Sequence, residues 1–237
     1  MKLEQYLELF LKLDLGLEPG TSGDYTLYKK IFPKGSKFKF IPDNYNALLM
    51  GFETREIITD HEYIYYDLNR KDHCIMGSAL EIIFTQYVPY QRARGNVLLG
   101  GFGLGILAKM LCDKEDVTSV TSIEYSGDVI KLCSFNDEKL TLIENDFYSF
   151  VKNTDLTKYD YIYVDTFTSS DDNTTYSEMI IPMKKYLLEN YPHVMADFWQ
   201  EDEFKAQFFT DQLMTPKNRT LLLHKLYKAD PALLNIS

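Results

Sequence analysis

Cysteine is scarce in this chain: Cys74, Cys112 and Cys133 are the three among 237 residues, and none stands in a CxxC pair. They suggest no clear disulfide framework, read as buried or free thiols, and fit a reducing, cytoplasmic compartment. The four histidines, His61, His73, His193 and His224, form no HExxH or zinc-like spacing, so metal catalysis has no ligand set. Basic charge is also short, with 25 Lys and Arg against 35 Asp and Glu, a net of −10. A nonspecific grip on nucleic acid or on an anionic membrane is not expected of such a chain. No apolar run approaches the roughly 20 residues of a membrane-spanning helix. Internal repeats and low-complexity tracts are absent, Asp171-Asp172-Asn173 reads as an exposed acidic loop, and Trp199 reads as core.

What is present suits one compact domain with a small extension: 45% of residues are hydrophobic and 25% charged. At the N-terminus, Glu4, Glu8, Lys12 and Asp14 interrupt the apolar core that a secretion signal needs. Leu3, Leu7, Phe10, Leu13 and Leu17 instead recur at helical spacing up to Pro19-Gly20, which predicts an amphipathic helix. Residues 20–51 read as loops with short strands, and Asn46 to Asp67 as a small antiparallel sheet or hairpin. Tyr63, Tyr65, Tyr66, Tyr87 and Tyr90 read as half-buried sheet and packing aromatics rather than an acceptor pocket. A helix is expected from Gly77 to Tyr87, ended by Pro89. Residues 1–92 are therefore taken as an N-terminal extension and 93–237 as the main domain.

After Gly95 short apolar runs alternate with helical ones: NVLLGG, GILAKMLC, VTSVTSIEY, DVIKLCSF, LTLIEND, FYSFVKN and YDYIYVDTF. Strand and helix in alternation imply a parallel sheet with crossover helices. Further elements are expected at Tyr176 to Asn190 (helix), His193 to Trp199 (strand), Glu201 to Met214 (helix) and Thr220 to Tyr227 (closing strand).

The sharpest signal is Gly100-Gly101-Phe102-Gly103-Leu104-Gly105, between the strand NVLL and the helix ILAKML. Glycine there permits a tight turn and lets a ligand approach the backbone. A dinucleotide fingerprint starting at Gly101 needs glycine or alanine where Ile106 stands, and a P-loop needs Gly-Lys-Ser/Thr, with no lysine before Lys109. Beyond the loop an acid closes each later strand: Glu124, Asp146 and Asp165. In a parallel sheet these ends share one edge, where ligands bind. A ligand suited to three carboxylates offers a ribose diol, an exocyclic amine and positive charge without a polyphosphate, as S-adenosylmethionine does. Asp146 and Asp165 equally suit helix N-caps.

The stretch from Gly95 to Phe167 resembles the core of the class I S-adenosylmethionine-dependent methyltransferases, within them the spermidine synthase-like branch. The resemblance implies a Rossmann-like α/β sheet flanked by helices, preceded by a small helix and β-hairpin extension. It implies that Gly101, Phe102, Gly103 and Gly105 hold the methionine moiety and that Glu124, with Tyr125 beside it, binds the ribose. Asn145 and Asp146 match the pair beside adenine, and Asp165 matches the acid near the acceptor. The chain departs from the aminopropyltransferase pattern at Leu104, where an aspartate is usual, at Thr168, where a second acid is usual, and in lacking a Tyr-His-Glu run upstream. Methyl transfer to a small-molecule or protein acceptor is therefore the expected activity, with Asp165 catalytic. Aminopropyl transfer from decarboxylated S-adenosylmethionine, or cofactor binding without catalysis, is the alternative. No metal, nucleic-acid or membrane partner is expected, and a homodimer is left open.

Overall fold

The computed structural model of the chain describes residues 3–40, 55–78, 82–167, 175–202, 204, 205 and 208. It divides into two compact units, one of Met1–Thr166 with Leu188–Trp199, the other of Phe167–Leu187 with Gln200–Ser237.

In the first unit, helix α1 (Leu3–Leu11) buries Tyr6 and Phe10. It is shorter than its leucine spacing predicts, because the chain turns at Asp14 and Gly16: the Gly16 amide donates to the Asp14 carboxylate at 2.8 Å, with φ +64° at the glycine. Leu15 and Leu17 still reach the core, from an extended segment. Next comes an antiparallel sheet of β1 (Gly20–Ser22), β2 (Tyr25–Phe32), β5 (Tyr63–Arg70) and β6 (His73–Gly77), in the order β1-β2-β5-β6. A separate pair joins β3 (Lys37–Phe40) to β4 (Arg55–Ile58). The stretch read as loops thus contains an eight-residue strand, β2, which pairs along its whole length with β5 from Tyr25↔Arg70 to Phe32↔Tyr63. Only Leu27 of β2 is buried, so the strand carries little alternation and owes its form to a partner distant in sequence.

Helix α2 (Ile82–Arg92) also departs from expectation, since Gly77 closes β6 and the helix continues through Pro89. Pro89 has no N–H to give the Thr85 carbonyl. That carbonyl instead accepts the Tyr163 hydroxyl at 3.2 Å, so the helix keeps its course with the lost bond replaced from another strand.

The main sheet has five parallel strands, β7 (Gly95–Gly100), β8 (Val117–Glu124), β9 (Leu140–Glu144), β10 (Tyr161–Val164) and β11 (Met195–Phe198), in the order β11-β10-β7-β8-β9. Crossover helices α3 (Ile106–Cys112), α4 (Gly127–Cys133) and α5 (Phe147–Asn153) link the first four, as the alternation predicts for an α/β sheet. Val97 and Leu98 of β7 and all four residues of β10 are buried, as strands covered on both faces require. The chain leaves β7 for β8 on one side and later returns to lay β10 on the other, which makes the end of β7 a topological switch point.

In the second unit, a π-helical turn (Thr175–Ile180) runs into α6 (Ile181–Asn190), whose residues from Leu188 on are counted with the first unit, and Pro182 lies just past the junction. The Phe167 and Phe204 rings meet edge-on at 5.5 Å, and Lys184 pairs with Glu201 at 2.5 Å. The helix expected over Glu201–Met214 is described only in its first residues. Thr168, Asp171-Asp172-Asn173 and the strand expected at Thr220 to Tyr227 lie outside the described residues.

Candidate functional site

The glycine loop lies at the switch point, and every one of its amides has a destination. Gly101 N–H bonds the Ile123 carbonyl at 2.8 Å, and Gly105 N–H bonds that of Phe102 at 2.8 Å. Phe102 and Gly103 donate to Glu124 Oε2 at 3.0 and 3.4 Å. Leu104 N–H points elsewhere, to the Met76 thioether of β6 at 3.2 Å. Gly101 is obligatory by contact as well as by φ, whereas Gly103 is favoured by φ and by a neighbour that can move. At Gly101 (φ +91°) a Cβ would overlap the Asp165 carbonyl, and at Gly103 (φ +53°) it would overlap the Met76 side chain.

Glu124 organises the loop from below. Its second oxygen accepts Ser126 N–H at 2.9 Å, so the carboxylate ties the end of β8 to the loop and to the start of α4. Tyr125 follows it with 79% of its surface exposed. Asp146 caps α5 by accepting Ser149 N–H at 2.8 Å, and the exposed Asn145 accepts the Asp146 amide at 2.8 Å. Asp146 therefore performs the capping role that its position also suited.

Asp165 differs from the other two acids. Its backbone N–H continues the ladder to the Gly100 carbonyl at 2.7 Å, while no donor among the described residues reaches its carboxylate. Burial alone pushes this carboxyl up to about 7. It faces a cleft of about 380 Å³ that opens to solvent and is walled by the glycine loop, Leu99, the first turn of α3, Tyr163, Gln86 and Met76. Most of that space is open to solvent, and the enclosed part, about 30 Å³, has room for little more than water. Gln86 is 5% exposed and its side-chain oxygen has no hydrogen-bond partner. Tyr163 is held protonated by burial, and its hydroxyl is engaged with Thr85.

The cleft thus presents two acceptors without a partner among the described residues, the Asp165 carboxylate and the Gln86 carbonyl, and suits a hydrogen-bond donor or a cation. The structure brings Gly101, Phe102, Gly103 and Asp165 into this wall. Glu124 stands behind the loop, while Tyr125, Asn145 and Asp146 lie beyond the cleft on the β8 and β9 side. Met76 and Gln86 escaped the reading of the sequence: neither belongs to a motif, and each enters the site because β6 and α2 are laid over the sheet edge. Among the described residues no group of three His, Cys, Asp or Glu could hold a metal ion, and no helix is long and apolar enough to cross a membrane.

No protein-family model matches the chain, and no curated protein matches it by sequence. Solved structures resemble it. A spermidine synthase from Thermotoga maritima is 17% identical at a TM-score of 0.35, over 46% of this chain and 42% of its own. A SAM-dependent methyltransferase from Archaeoglobus fulgidus is 18% identical at a TM-score of 0.32, over 46% of this chain and 44% of its own. A putative SAM-dependent methyltransferase from Streptococcus mutans is 14% identical at a TM-score of 0.38, over 65% of this chain and 48% of its own. The chain spans less than half the length of each of these three, and the likeness is one of fold.

Proposed function

We propose that the protein is an S-adenosylmethionine-dependent transferase, and specifically a methyltransferase whose acceptor enters the cleft beside Asp165. One observation carries the reading: a glycine loop at the switch point of a parallel sheet opens onto a half-buried carboxylate and a buried amide oxygen that have no hydrogen-bond partner among the described residues. Such orphaned acceptors mark a place where a ligand completes the hydrogen bonding. The positive φ of Gly101 and Gly103 lets the loop turn tightly at the sheet edge, and the carboxylates favour a sulfonium and an ammonium.

Gly101, Phe102, Gly103 and Gly105 would hold the methionine side of the ligand. Glu124 retains lone pairs for a ribose hydroxyl while it braces the loop, and Tyr125, exposed beside it, offers a ring to the base. Asn145 and Asp146 lie at the next strand end, on the adenine side. When bound, the ligand supplies an electrophilic methyl carbon on sulfur. The chain's own residues then position and deprotonate: Leu99 and Ile106 exclude water, and Gln86 orients a donor N–H or O–H of the acceptor. Asp165 takes the acceptor's proton, a role that its raised basicity suits near neutral pH.

A second reading, aminopropyl transfer from the decarboxylated ligand, is favoured by the Met76 thioether on Leu104 N–H, where a ligand carboxylate would otherwise find a donor. Titration calorimetry with S-adenosylmethionine, its decarboxylated form and S-adenosylhomocysteine tests both. Methyl transfer requires binding of the two carboxylate-bearing ligands, and preference for the decarboxylated form favours aminopropyl transfer. Binding of none of the three defeats the cofactor assignment.

A further inference from the structure

The loop's amides divide by the strength of what they bond. Those of Gly101 and Gly105 meet backbone carbonyls and those of Phe102 and Gly103 meet a carboxylate, whereas Leu104 N–H meets a thioether. Thioether sulfur is a weak acceptor, so this amide is the one that gains most by exchanging its partner. The sulfur also fills the space over Gly103 that the missing Cβ leaves, and Met76 walls the cleft shared with Asp165 and Gln86. Methionine has three rotatable bonds and a half-buried position here, so it can withdraw from the loop without unfolding β6.

We infer that Met76 is a specificity-determining residue: its side chain occupies the loop as a stopper on Leu104 N–H, which a ligand bearing a carboxylate must displace and a ligand without one leaves in place. This rests on the proposed adenosyl site, and it goes further by naming which part of the ligand the N-terminal sheet reads. Leu104 serves through its backbone, and the residue type at position 76 sets how costly that backbone donor is to reach. Affinity for the carboxylate end is lowered by the work of moving Met76, while the adenosine end bears no such cost.

The test compares the parent with Met76→Ala, using two ligands titrated into the full chain: S-adenosylhomocysteine, which carries the carboxylate, and 5′-methylthioadenosine, which stops at the thioether. Met76→Ala should tighten S-adenosylhomocysteine about tenfold, as removal of one weak competing contact and its steric block predicts, and should change 5′-methylthioadenosine less than about twofold. An equal change in both ligands, or none in either, overturns the inference while leaving the adenosyl site standing. Failure of both proteins to bind either ligand overturns the site itself, and the stopper with it. In case the alanine variant folds poorly, the parent labelled with methyl-13C methionine gives an independent readout, its Met76 signal assigned by Met76→Leu. That signal should move on addition of S-adenosylhomocysteine and stay in place with 5′-methylthioadenosine; the reverse pattern, or no movement with either bound ligand, counts against the stopper.

Discussion

The Tyr163 hydroxyl donates to the Thr85 carbonyl at 3.2 Å, the carbonyl that Pro89 leaves without its helical partner. This hydrogen bond therefore ties the strand that leads into Asp165 to the helix carrying Gln86. Tyr163→Phe removes this hydrogen bond and should destabilise the fold by about 0.5–1.5 kcal/mol in chemical denaturation, the usual net worth of one such bond. Pro89→Ala restores an N–H to Thr85, so it should stabilise more in the Tyr163→Phe background than in the parent. Additive effects would show that the two changes act on different groups.

Asp165 makes stability depend on pH with a definite sign. Its carboxyl is raised from 3.8 to about 7 by burial, so the unfolded chain ionises it well before the folded one does. From about pH 4 to about pH 7 the folded state binds more protons, stability falls as pH rises, and the loss is complete above that window. Asp165→Asn and the parent should unfold alike at pH 4, with the variant the more stable at pH 8 by up to roughly 4 kcal/mol. A pH-independent difference would mean that the carboxyl titrates normally. A sulfonium held beside Asp165 draws its pKa back down, so ligand binding near pH 6.5 should release a proton. Binding enthalpies measured in buffers of different ionisation enthalpy would read that release.

The parts of the fold that show in the sequence are the local ones. NVLL and YIYV are mostly apolar, VTSIE and LTLIE carry β-branched and apolar residues up to a closing acid, and the glycines interrupt the pattern where the backbone must turn, so the parallel sheet and its loop can be read from local sequence. Less legible are features made by distant partners. β2 is a strand because β5 pairs with it, and α2 survives Pro89 because Tyr163 reaches it from β10. The candidate site divides in the same way. Strand-end acids are visible as a pattern, but only the fold shows that Glu124 turns back to the loop amides, that Asp146 caps a helix and that no donor among the described residues reaches Asp165. Gln86 and Met76 carry no signal of their own, since an amide and a thioether become site residues only through what faces them.

Glu124 is expected to act on the loop before any ligand arrives. Three backbone amides, of Phe102, Gly103 and Ser126, converge on its carboxylate. Glu124→Gln replaces one acceptor oxygen by a donor that faces another donor, which should cost about 1–3 kcal/mol. Hydrogen exchange is the direct measurement: amides of Phe102 and Gly103 should exchange faster in the variant, while those of Val97 and Leu98 in the buried strand should not. Uniform acceleration would point to global destabilisation instead of a loosened loop.

Gly101 and Gly16 separate the two reasons for glycine at a positive φ. Gly16 has φ +64° with no atom within 4 Å of an added Cβ, whereas Gly101, at φ +91°, has the Asp165 carbonyl in the way. Gly16→Ala should therefore cost only the backbone term, about 1 kcal/mol, the scale of one residue forced into the left-handed region. Gly101→Ala must in addition push the end of β10 off the end of β7, where Asp165 N–H bonds Gly100 at 2.7 Å. It should cost at least about 3 kcal/mol by denaturation, in the range where a backbone clash outweighs local strain. The pH-dependence assigned above to Asp165 should shrink with it, because the carboxylate would be displaced toward water. Equal costs for the two alanine substitutions would mean that the close approach of the two strand ends is not a constraint, and that the loop's glycines serve the turn alone.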